Sequence, residues 1–426
     1  AASAAGAPHR RGGKRLAAAP QAMAPIPLLT LVFLTAMGMT ATTVCYVANA
    51  AIAYIQQARA AVSGGLPAAL SLVAYVGISV AAGLVAAALV KYIAPAAAGS
   101  GIPEMKSHLA GVVHAGFLSG RTLGTKFVGL VAAQAAGLSI GKEGPFVHLA
   151  AATAAVLFTI PLFAPLYAAG PLRIQLLAAA VAVGVTATFG APIGAVLFSV
   201  EVTATYYFVD NLPKAYYAAV VGLFFVRALA EIPIIDVYKN LALFSTDITQ
   251  LPYSFPEFVA YAGLGLAAGL MGAGFVFVVS RLIYLRARVP ALGAKWPLTS
   301  VAVVTAVSAT VTWFLNRLLH EDEKTNIERL VSHEEIESLN HVLFDLGIYV
   351  PIKFVLTTAA VVLPIPSGVF SPVFAYGAAF GRFVGEIMSP LFPTLNVAAG
   401  GYAIVGAAAM TAAPPMAYMV HLRMGR

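Results

Sequence analysis

Apolar stretches long enough to cross a bilayer recur along this chain from Pro25 to its end. A spanning helix needs roughly 20 such residues, and a backbone surrounded by lipid must satisfy its own hydrogen bonds. Hydrophobic residues make up 60% of the sequence and charged residues 10%, which is too little charge to cover a soluble protein of this length. The sequence therefore predicts an all-α polytopic membrane protein, with some helices too short or broken to cross fully.

The ionisable residues lie in short runs that flank the apolar stretches. The formal net charge is +8, and the basic runs are 9–15 and 281–288, with Lys295 nearby. Such runs are typical of cytoplasmic helix ends and do not indicate a nucleic-acid interface. They predict that the N-terminus is cytoplasmic and that the acidic segment 321–337 lies across the membrane. Whether this is the plasma membrane or an organelle membrane is left open.

Three short motifs each place glycine and proline at the start of an apolar helix. They are 99–104 (Gly-Ser-Gly-Ile-Pro-Glu), 141–145 (Gly-Lys-Glu-Gly-Pro) and 368–372 (Gly-Val-Phe-Ser-Pro). The first amides of a helix have no intrahelical partner and carry partial positive charge, and Pro there loses an amide that nothing would use. Helix starts within apolar stretches are costly, so the motifs predict an anion pathway through the membrane.

The first and third motifs offer uncharged donors to an anion. Gly101 lets the backbone turn beside Ser100, whose hydroxyl donates without a full charge that would trap the ion. The amides at Val369 and Phe370 cradle the ion, and the Phe370 ring narrows its path. The alternative interpretations are that Ser100 is a plain helix N-cap and that Phe370 is a core aromatic residue.

The second motif places Glu143 inside an apolar region. A carboxylate in the membrane is expensive and by default indicates a functional site. At a helix start it competes with a permeant anion for the same amides, including that of Gly144, while Lys142 raises the local anion concentration. Protonation neutralises the carboxylate, so the motif predicts gating that is linked to pH. The alternative is a structural glutamate paired with Lys142 at a membrane edge.

The two halves of the sequence repeat each other at matched spacing. The Lys-Phe-Val triplet 126–128 precedes Gly141 by the interval that separates triplet 353–355 from Gly368. Further matched pairs are Glu143 with Phe370 and Pro145 with Pro372. Gly184 also precedes an Ala-Pro pair, 191–192, by the interval that separates Gly406 from the Ala-Pro pair 413–414. Repeats with broken helices at corresponding positions point to a binding site at the repeat interface near the midplane. Similarity alone does not show whether the repeats are parallel or inverted.

The repeat predicts one membrane domain made of two fused halves. The first half-repeat spans 25–230, a polar connection spans 231–254, and the second half-repeat spans 255–426. A basic, Ala-rich tail, 1–24, precedes them and fits either a transit peptide or a cytoplasmic tail.

Common catalytic patterns are missing from the sequence. It contains no P-loop, nucleophile elbow or paired catalytic carboxylates, and the spacing of His108 and His114 does not suit a shared metal. We therefore expect neither an enzyme nor a bound metal or cofactor.

Together the three motifs resemble those of the CLC family of chloride channels and chloride/proton exchangers, over nearly the whole chain. The resemblance implies an inverted-repeat fold with broken and re-entrant helices, chloride as the transported ion, and a homodimer with a separate pore in each subunit. It implies that Ser100 and the amides and ring at Val369 and Phe370 line the central anion site. It also implies that Glu143 is the gate.

The stretches 190–203 and 377–386 look most like the animal-type channel branch of that family. Many exchangers carry a second glutamate, for internal proton transfer, at the position of Val202, and a valine cannot carry a proton. The resemblance therefore implies a gated chloride channel, with a chloride/proton antiporter as the alternative because some exchangers lack that glutamate. Ser100 in place of proline resembles members that prefer chloride over nitrate.

The resemblance fades after Thr411. We expect no counterpart here of the last helices of the family, one of which carries a pore tyrosine, or of its cytoplasmic CBS domains. Tyr418 lies too early in the pattern to be that tyrosine. We expect a second half that is incomplete at its C-terminus. A non-conducting paralogue or structural subunit is a further alternative.

Overall fold

The computed structural model describes most of the two predicted halves. Its described residues are 26–203, 209–231, 255–288, 297–315, 323–332, 342–392 and 399–412. The predicted tail 1–24 and nearly all of the predicted connection 231–254 lie outside them. The boundaries assigned to the two half-repeats therefore stay predictions.

The described part of the first half is helical, with the helices joined by short turns. Its helices are α1 (Ile26–Gly64), α2 (Ala68–Tyr92), α3 (Ile102–Leu109), α4 (Gly120–Ala135), α5 (Glu143–Leu157), α6 (Ala164–Ala168), α7 (Gly170–Phe189), α8 (Pro192–Phe198) and α9 (Leu212–Ala230). Single 3-10 turns are formed by Pro95–Ala97, Pro161–Phe163 and Val209–Asn211, and a π-helical turn by Ser199–Thr203.

The second half contains a similar series of helices. They are α10 (Phe255–Arg288), α11 (Pro297–Leu315), α12 (Glu323–Val331), α13 (Val342–Val361), α14 (Phe370–Leu391) and α15 (Ala399–Ala412). The long pair α10 and α11 corresponds to α1 and α2, and the helices that follow motifs 141–145 and 368–372 are α5 and α14.

Within the described ranges, seven helices are long and apolar enough to span a membrane. In addition, α5 and the segment Pro161–Ala168 meet at a bend of 92°, the geometry of a broken span or a re-entrant loop. Helices α3 and α15 are too short to cross a bilayer by themselves, at 1.5 Å rise per residue. The prediction of a polytopic α-helical protein with broken helices is confirmed.

Helices α5 and α7 form the centre of the first half. Both are apolar around most of their circumference, and almost every residue from Glu143 to Ala154 on α5 is buried. Such a helix has to be surrounded by others, and α1, α4 and α9 supply that cover. A Cβ at Gly184 would lie 2.7 Å from the carbonyl oxygen of Phe146, so this glycine allows α7 to approach α5 closely.

The second half is built around the equally close pair α14 and α15. Glycines spaced four residues apart on α14 face α15, and a Cβ at Gly381 would lie 2.0 Å from the carbonyl oxygen of Tyr402. Gly406, the repeat partner of Gly184, is packed in the same way: a Cβ there would lie 2.5 Å from the carbonyl oxygen of Gly377. Small residues at helix contacts are how membrane helices gain van der Waals packing.

We expect Gly381→Ala to destabilise the second half. Its added methyl group meets a backbone carbonyl, which cannot rotate away, so α14 and α15 must separate at a cost of about 1–3 kcal/mol. The thermal unfolding midpoint of the detergent-purified protein measures this effect. Gly274→Ala on α10 is the matched control, because a Cβ there meets nothing within 4 Å. Equal midpoints for the two variants would contradict this account of the packing.

The acidic segment 321–337 contains a short amphipathic helix in its described part. α12 buries Ile327, Leu330 and Val331 against the second-half core, and Glu323 at its start lies 3.5 Å from Lys353 of α13. The side of the membrane on which this segment lies stays a prediction.

Candidate anion-binding site

The first motif forms a sharp turn that starts α3. Gly101 has φ +87°, a left-handed conformation that favours glycine, and the Ser100 hydroxyl accepts a hydrogen bond from the Ile102 amide at 3.2 Å. A Cβ at Gly101 would also lie 2.7 Å from the ring of His148 on α5. Gly101 is thus the N-cap residue of α3, Ser100 binds the first amide of the helix, and its hydroxyl hydrogen can donate to a second acceptor.

The second and third motifs pair directly with each other. The Gly141 amide donates to the Gly368 carbonyl at 2.8 Å, and the Gly368 amide donates to the Gly141 carbonyl at 2.7 Å. These two glycines are equivalent in the repeat. A reciprocal bond between equivalent residues is what two segments related by a two-fold axis form, so the axis of the repeat passes between them.

The first motif is hydrogen-bonded to the segment that precedes the third motif. The Gly99 amide donates to the Ile365 carbonyl at 2.8 Å, and the Gly99 carbonyl accepts from the Ser367 amide at 3.2 Å. Lys126 is 1% exposed and donates to the same Gly99 carbonyl at 2.6 Å. Its repeat partner Lys353 instead pairs with Glu323, so the two lysines have different roles.

The starts of α3 and α5 are in contact. Gly144 lies so close to Ser100 that a Cβ on it would be 2.2 Å from the serine hydroxyl oxygen. Because the start of α14 is joined to α5 through the Gly141–Gly368 pair, three helix N-termini converge on one region. The first amides of a helix have no intrahelical carbonyl partner, so this region, with the Ser100 hydroxyl beside it, is a candidate site for an anion.

Glu143 occupies the part of this region next to α14. Its side chain is 5% exposed, Oε2 accepts from the Ser371 amide at 3.3 Å, and Oε1 accepts from the Ser371 hydroxyl. Gly141 leaves space for the carboxylate, because a Cβ there would lie 2.1 Å from Oε2. The carboxylate is therefore bound by the donors of the other repeat's helix start.

Ser371 is a contact that sequence reasoning missed. The sequence suggested that the amides at the start of α5 would hold the Glu143 carboxylate, whereas the described bonds come from the start of α14. The repeat alignment contained one signal, since Ser371 is the counterpart of Gly144 in the motif that lacks a carboxylate.

Lys142 is turned toward α1, where its ammonium group donates to the side-chain oxygen of Asn49. The burial of Glu143 does not fit the alternative of an ion pair at a membrane edge. Asn49 carries no signal in the sequence, because it lies in the middle of a long apolar helix.

Phe370 and Val369 define the start of α14. Val369 is its N-cap residue, and the Phe370 ring makes an edge contact with Phe189 at 5.2 Å and stacks with Phe374 at 5.9 Å. The Phe370 ring is half-buried, so it is not a fully enclosed core residue. Phe189, at the end of α7, was not singled out from the sequence.

Val202 lies in the π-helical turn after α8, half-buried against the first-half core. Its neighbour Glu201 is exposed. In the described structure, therefore, an apolar side chain occupies the place at which the resemblance puts the inner proton-transfer glutamate of exchangers.

This architecture defines a class: a polytopic helical membrane protein with a candidate anion site where helix starts converge. The family described as voltage gated chloride channel matches residues 82–421. The chain belongs to this family, the CLC family of chloride channels and transporters. The expected inverted-repeat fold and multi-pass membrane architecture are confirmed.

Among its relatives is human chloride channel protein 2, 36% identical over 420 aligned residues that cover 90% of this chain and 47% of that protein. Chloride channel protein F of Dictyostelium discoideum is 35% identical over 341 aligned residues, covering 76% and 42%. The chain thus spans about half the length of the curated relatives it matches.

Solved structures show the same fold. The crystal structure of a eukaryotic CLC transporter superimposes with a TM-score of 0.75 at 31% identity, covering 93% of this chain and 67% of that one. A slow cyanobacterial Cl⁻/H⁺ antiporter gives a TM-score of 0.77 at 20% identity, covering 92% and 89%. At that identity the second likeness supports the fold alone.

Proposed function

We propose that this chain forms the membrane part of a chloride-selective transporter, most simply a gated channel. The observation that carries the proposal is the buried Glu143 carboxylate bound to Ser371 among three helix starts. The name of the human relative, chloride channel protein 2, supports chloride as the ion.

In this proposal chloride and the Glu143 carboxylate compete for the same donors. When the side chain is protonated or swings away, the Ser371 amide and hydroxyl become available to the ion, together with the amides at Val369 and Phe370. On the other side of the site, Ser100 donates its hydroxyl, and the backbone at Gly101 and Gly144 lets the ion approach closely. These donors carry no full charge, so the ion is bound without being trapped.

Lys142 lies near this region but is turned toward Asn49. Its proposed role is electrostatic: a fixed positive charge in a medium of low polarity raises the local chloride concentration without contacting the ion.

Val202 favours a channel over an exchanger. Coupled exchange needs a group that takes protons from the inner side of the membrane to Glu143, and a half-buried valine has no exchangeable proton. A chloride/proton antiporter is the second candidate function, because the resemblance covers both channels and exchangers and some exchangers lack the inner glutamate.

The test is chloride efflux from liposomes that contain the purified protein, with proton movement recorded at the same time. The channel proposal predicts chloride flux without stoichiometric proton movement. Proton transport driven uphill by a chloride gradient would establish the antiporter. A lack of flux from folded protein would favour the third candidate, a non-conducting structural paralogue or subunit.

We also propose a homodimer with one pore in each subunit and a cytoplasmic N-terminus, with chloride as the only small partner and no cofactor. The family resemblance supports the dimer, and the basic run 281–288 supports the orientation. Cross-linking in membranes tests the dimer, and labelling of cysteines introduced near Arg288 tests the orientation.

A further inference from the structure

Two arginines occupy equivalent places in the two halves. Arg59 lies near the end of α1 and Arg286 near the end of α10. They are 227 positions apart in the sequence (286 − 59), and so are Gly141 and Gly368 (368 − 141). The alignment of the repeats at the anion site therefore extends back to these arginines.

Arg59 binds the end of α4. Its guanidinium donates from Nη1 to the carbonyl oxygen of Ala135 at 3.0 Å and to the Ser79 hydroxyl at 3.1 Å, and it lies over the Tyr75 ring at 4.5 Å. Gly137, at φ +72°, leaves space for it, because a Cβ there would be 2.5 Å from Nη1. A cation at a helix C-terminus satisfies orphan carbonyls and is stabilised by the helix dipole.

Arg286 makes the same bond in the second half. Its Nη1 donates to the carbonyl oxygen of Val362, the residue after the end of α13. Val362 and Ala135 are also 227 positions apart (362 − 135). The donor and the acceptor are thus both conserved between the halves, although the residues around them differ.

Each capped helix leads directly into a pore motif. Only five residues separate Ala135 from Gly141, and five separate Val362 from Gly368. The first connection is also fixed internally, since Gln134 donates to the Ile140 carbonyl at 2.9 Å. A shift of either helix end is therefore passed to the glycine pair that joins the motifs.

We propose that Arg59 and Arg286 are a repeat-related pair of positioning residues for the gate. Because the repeats are inverted, α1 and α10 run in opposite directions, and the two arginines act from opposite faces of the membrane. Arg59 holds the end of α4, which leads to Glu143 at the start of α5, and Arg286 holds the residue after α13, which leads to Ser371 in the first turn of α14. Together they set how well the carboxylate meets its donors. This inference rests on the proposed function of Glu143 as the gate.

The test is a double-mutant cycle on chloride efflux from liposomes, measured across pH. Arg59→Gln and Arg286→Gln are each made alone and with Glu143→Gln. Loss of one charged hydrogen bond is expected to loosen the carboxylate and raise efflux at neutral pH by about tenfold. In the Glu143→Gln background the same substitutions are expected to change efflux little, because the charged gate is already absent. Arg59→Lys is expected to restore part of the pH response.

Controls separate this role from general stability. Arg281→Gln on α10 and Gln57→Ala on α1 alter exposed side chains of the same helices and are expected to leave the pH profile unchanged. If Arg59→Gln does not fold, Gly137→Ala takes its place, since its methyl group displaces the guanidinium without changing charge. It is expected to give the same phenotype, again only when Glu143 is present.

A wild-type pH profile in Arg59→Gln or Gly137→Ala, with an altered one in Glu143→Gln, would overturn the inference and leave the gate proposal intact. An effect of equal size with and without Glu143 would assign the arginines a structural role only. A wild-type profile in Glu143→Gln alone would instead refute the gate proposal itself.

Discussion

Chloride efflux through the Glu143→Gln variant is expected to be fast at neutral pH and nearly independent of pH. Glutamine keeps the shape of the side chain and still accepts from Ser371, but it has no negative charge. A hydrogen bond to a charged group is worth about 1–2 kcal/mol more than one to a neutral group, so chloride displaces glutamine roughly tenfold more easily than it displaces glutamate.

The sign of the pH effect follows from the same competition. If Glu143 is the gate as proposed, its neutral form releases the donors to chloride, so wild-type efflux is expected to rise as pH falls. The variant is fixed in the neutral state, which is why its profile is flat and its neutral-pH efflux is raised.

Efflux from liposomes at several pH values measures this directly. Glu201→Gln is the matched control, because it neutralises an exposed carboxylate outside the three motifs and should preserve the wild-type profile. A Glu143→Gln profile that still rises with acidity would mean that another group gates the pathway.

The Gly144→Ala variant is expected to lose most chloride transport while remaining folded. The added methyl group would lie 2.2 Å from the Ser100 hydroxyl oxygen, 2.9 Å from its Cβ and 3.3 Å from its Cα. The serine cannot relieve all three contacts by rotating, so the turn before α3 must move. The donors of α3 and α5 then no longer converge, and a misplacement of this kind costs roughly tenfold or more in transport.

Two comparisons make this prediction specific. Gly124→Ala on α4 adds a methyl group in open space and should transport chloride normally. In the double variant with Glu143→Gln, transport should remain low, because opening the gate does not restore the donors. Recovery of full transport in the double variant would show that Gly144→Ala acts on the gate and leaves the anion site intact.

Helix starts were the part of the site that local sequence determined best. The motifs predicted helices beginning near Ile102, Glu143 and Phe370, and α3, α5 and α14 begin at those residues. Glycine favours a helix start because it can adopt a positive φ, and proline because it lacks an amide hydrogen. Both are properties of single residues and need no tertiary contact.

The partners within the site could not be predicted in this way. Glu143 and Ser371 are 228 positions apart, and Lys126 reaches the Gly99 carbonyl from another helix. Hydrophobic periodicity indicates which face of a helix is buried but not which other helix covers that face. For α5 the periodicity does not distinguish any face, because the helix is buried on almost every side.

The sequence by itself determined the membrane class, the duplicated halves and the three helix starts of the candidate site, because each depends on composition or on local spacing. Only the tertiary structure decided that the motifs pair through Gly141 and Gly368, that Ser371 binds the Glu143 carboxylate, and that Arg59 and Arg286 bind equivalent helix ends. Those contacts join segments far apart in the chain. Their geometry is set by close packing at glycines, and no local propensity encodes which distant backbone will approach them.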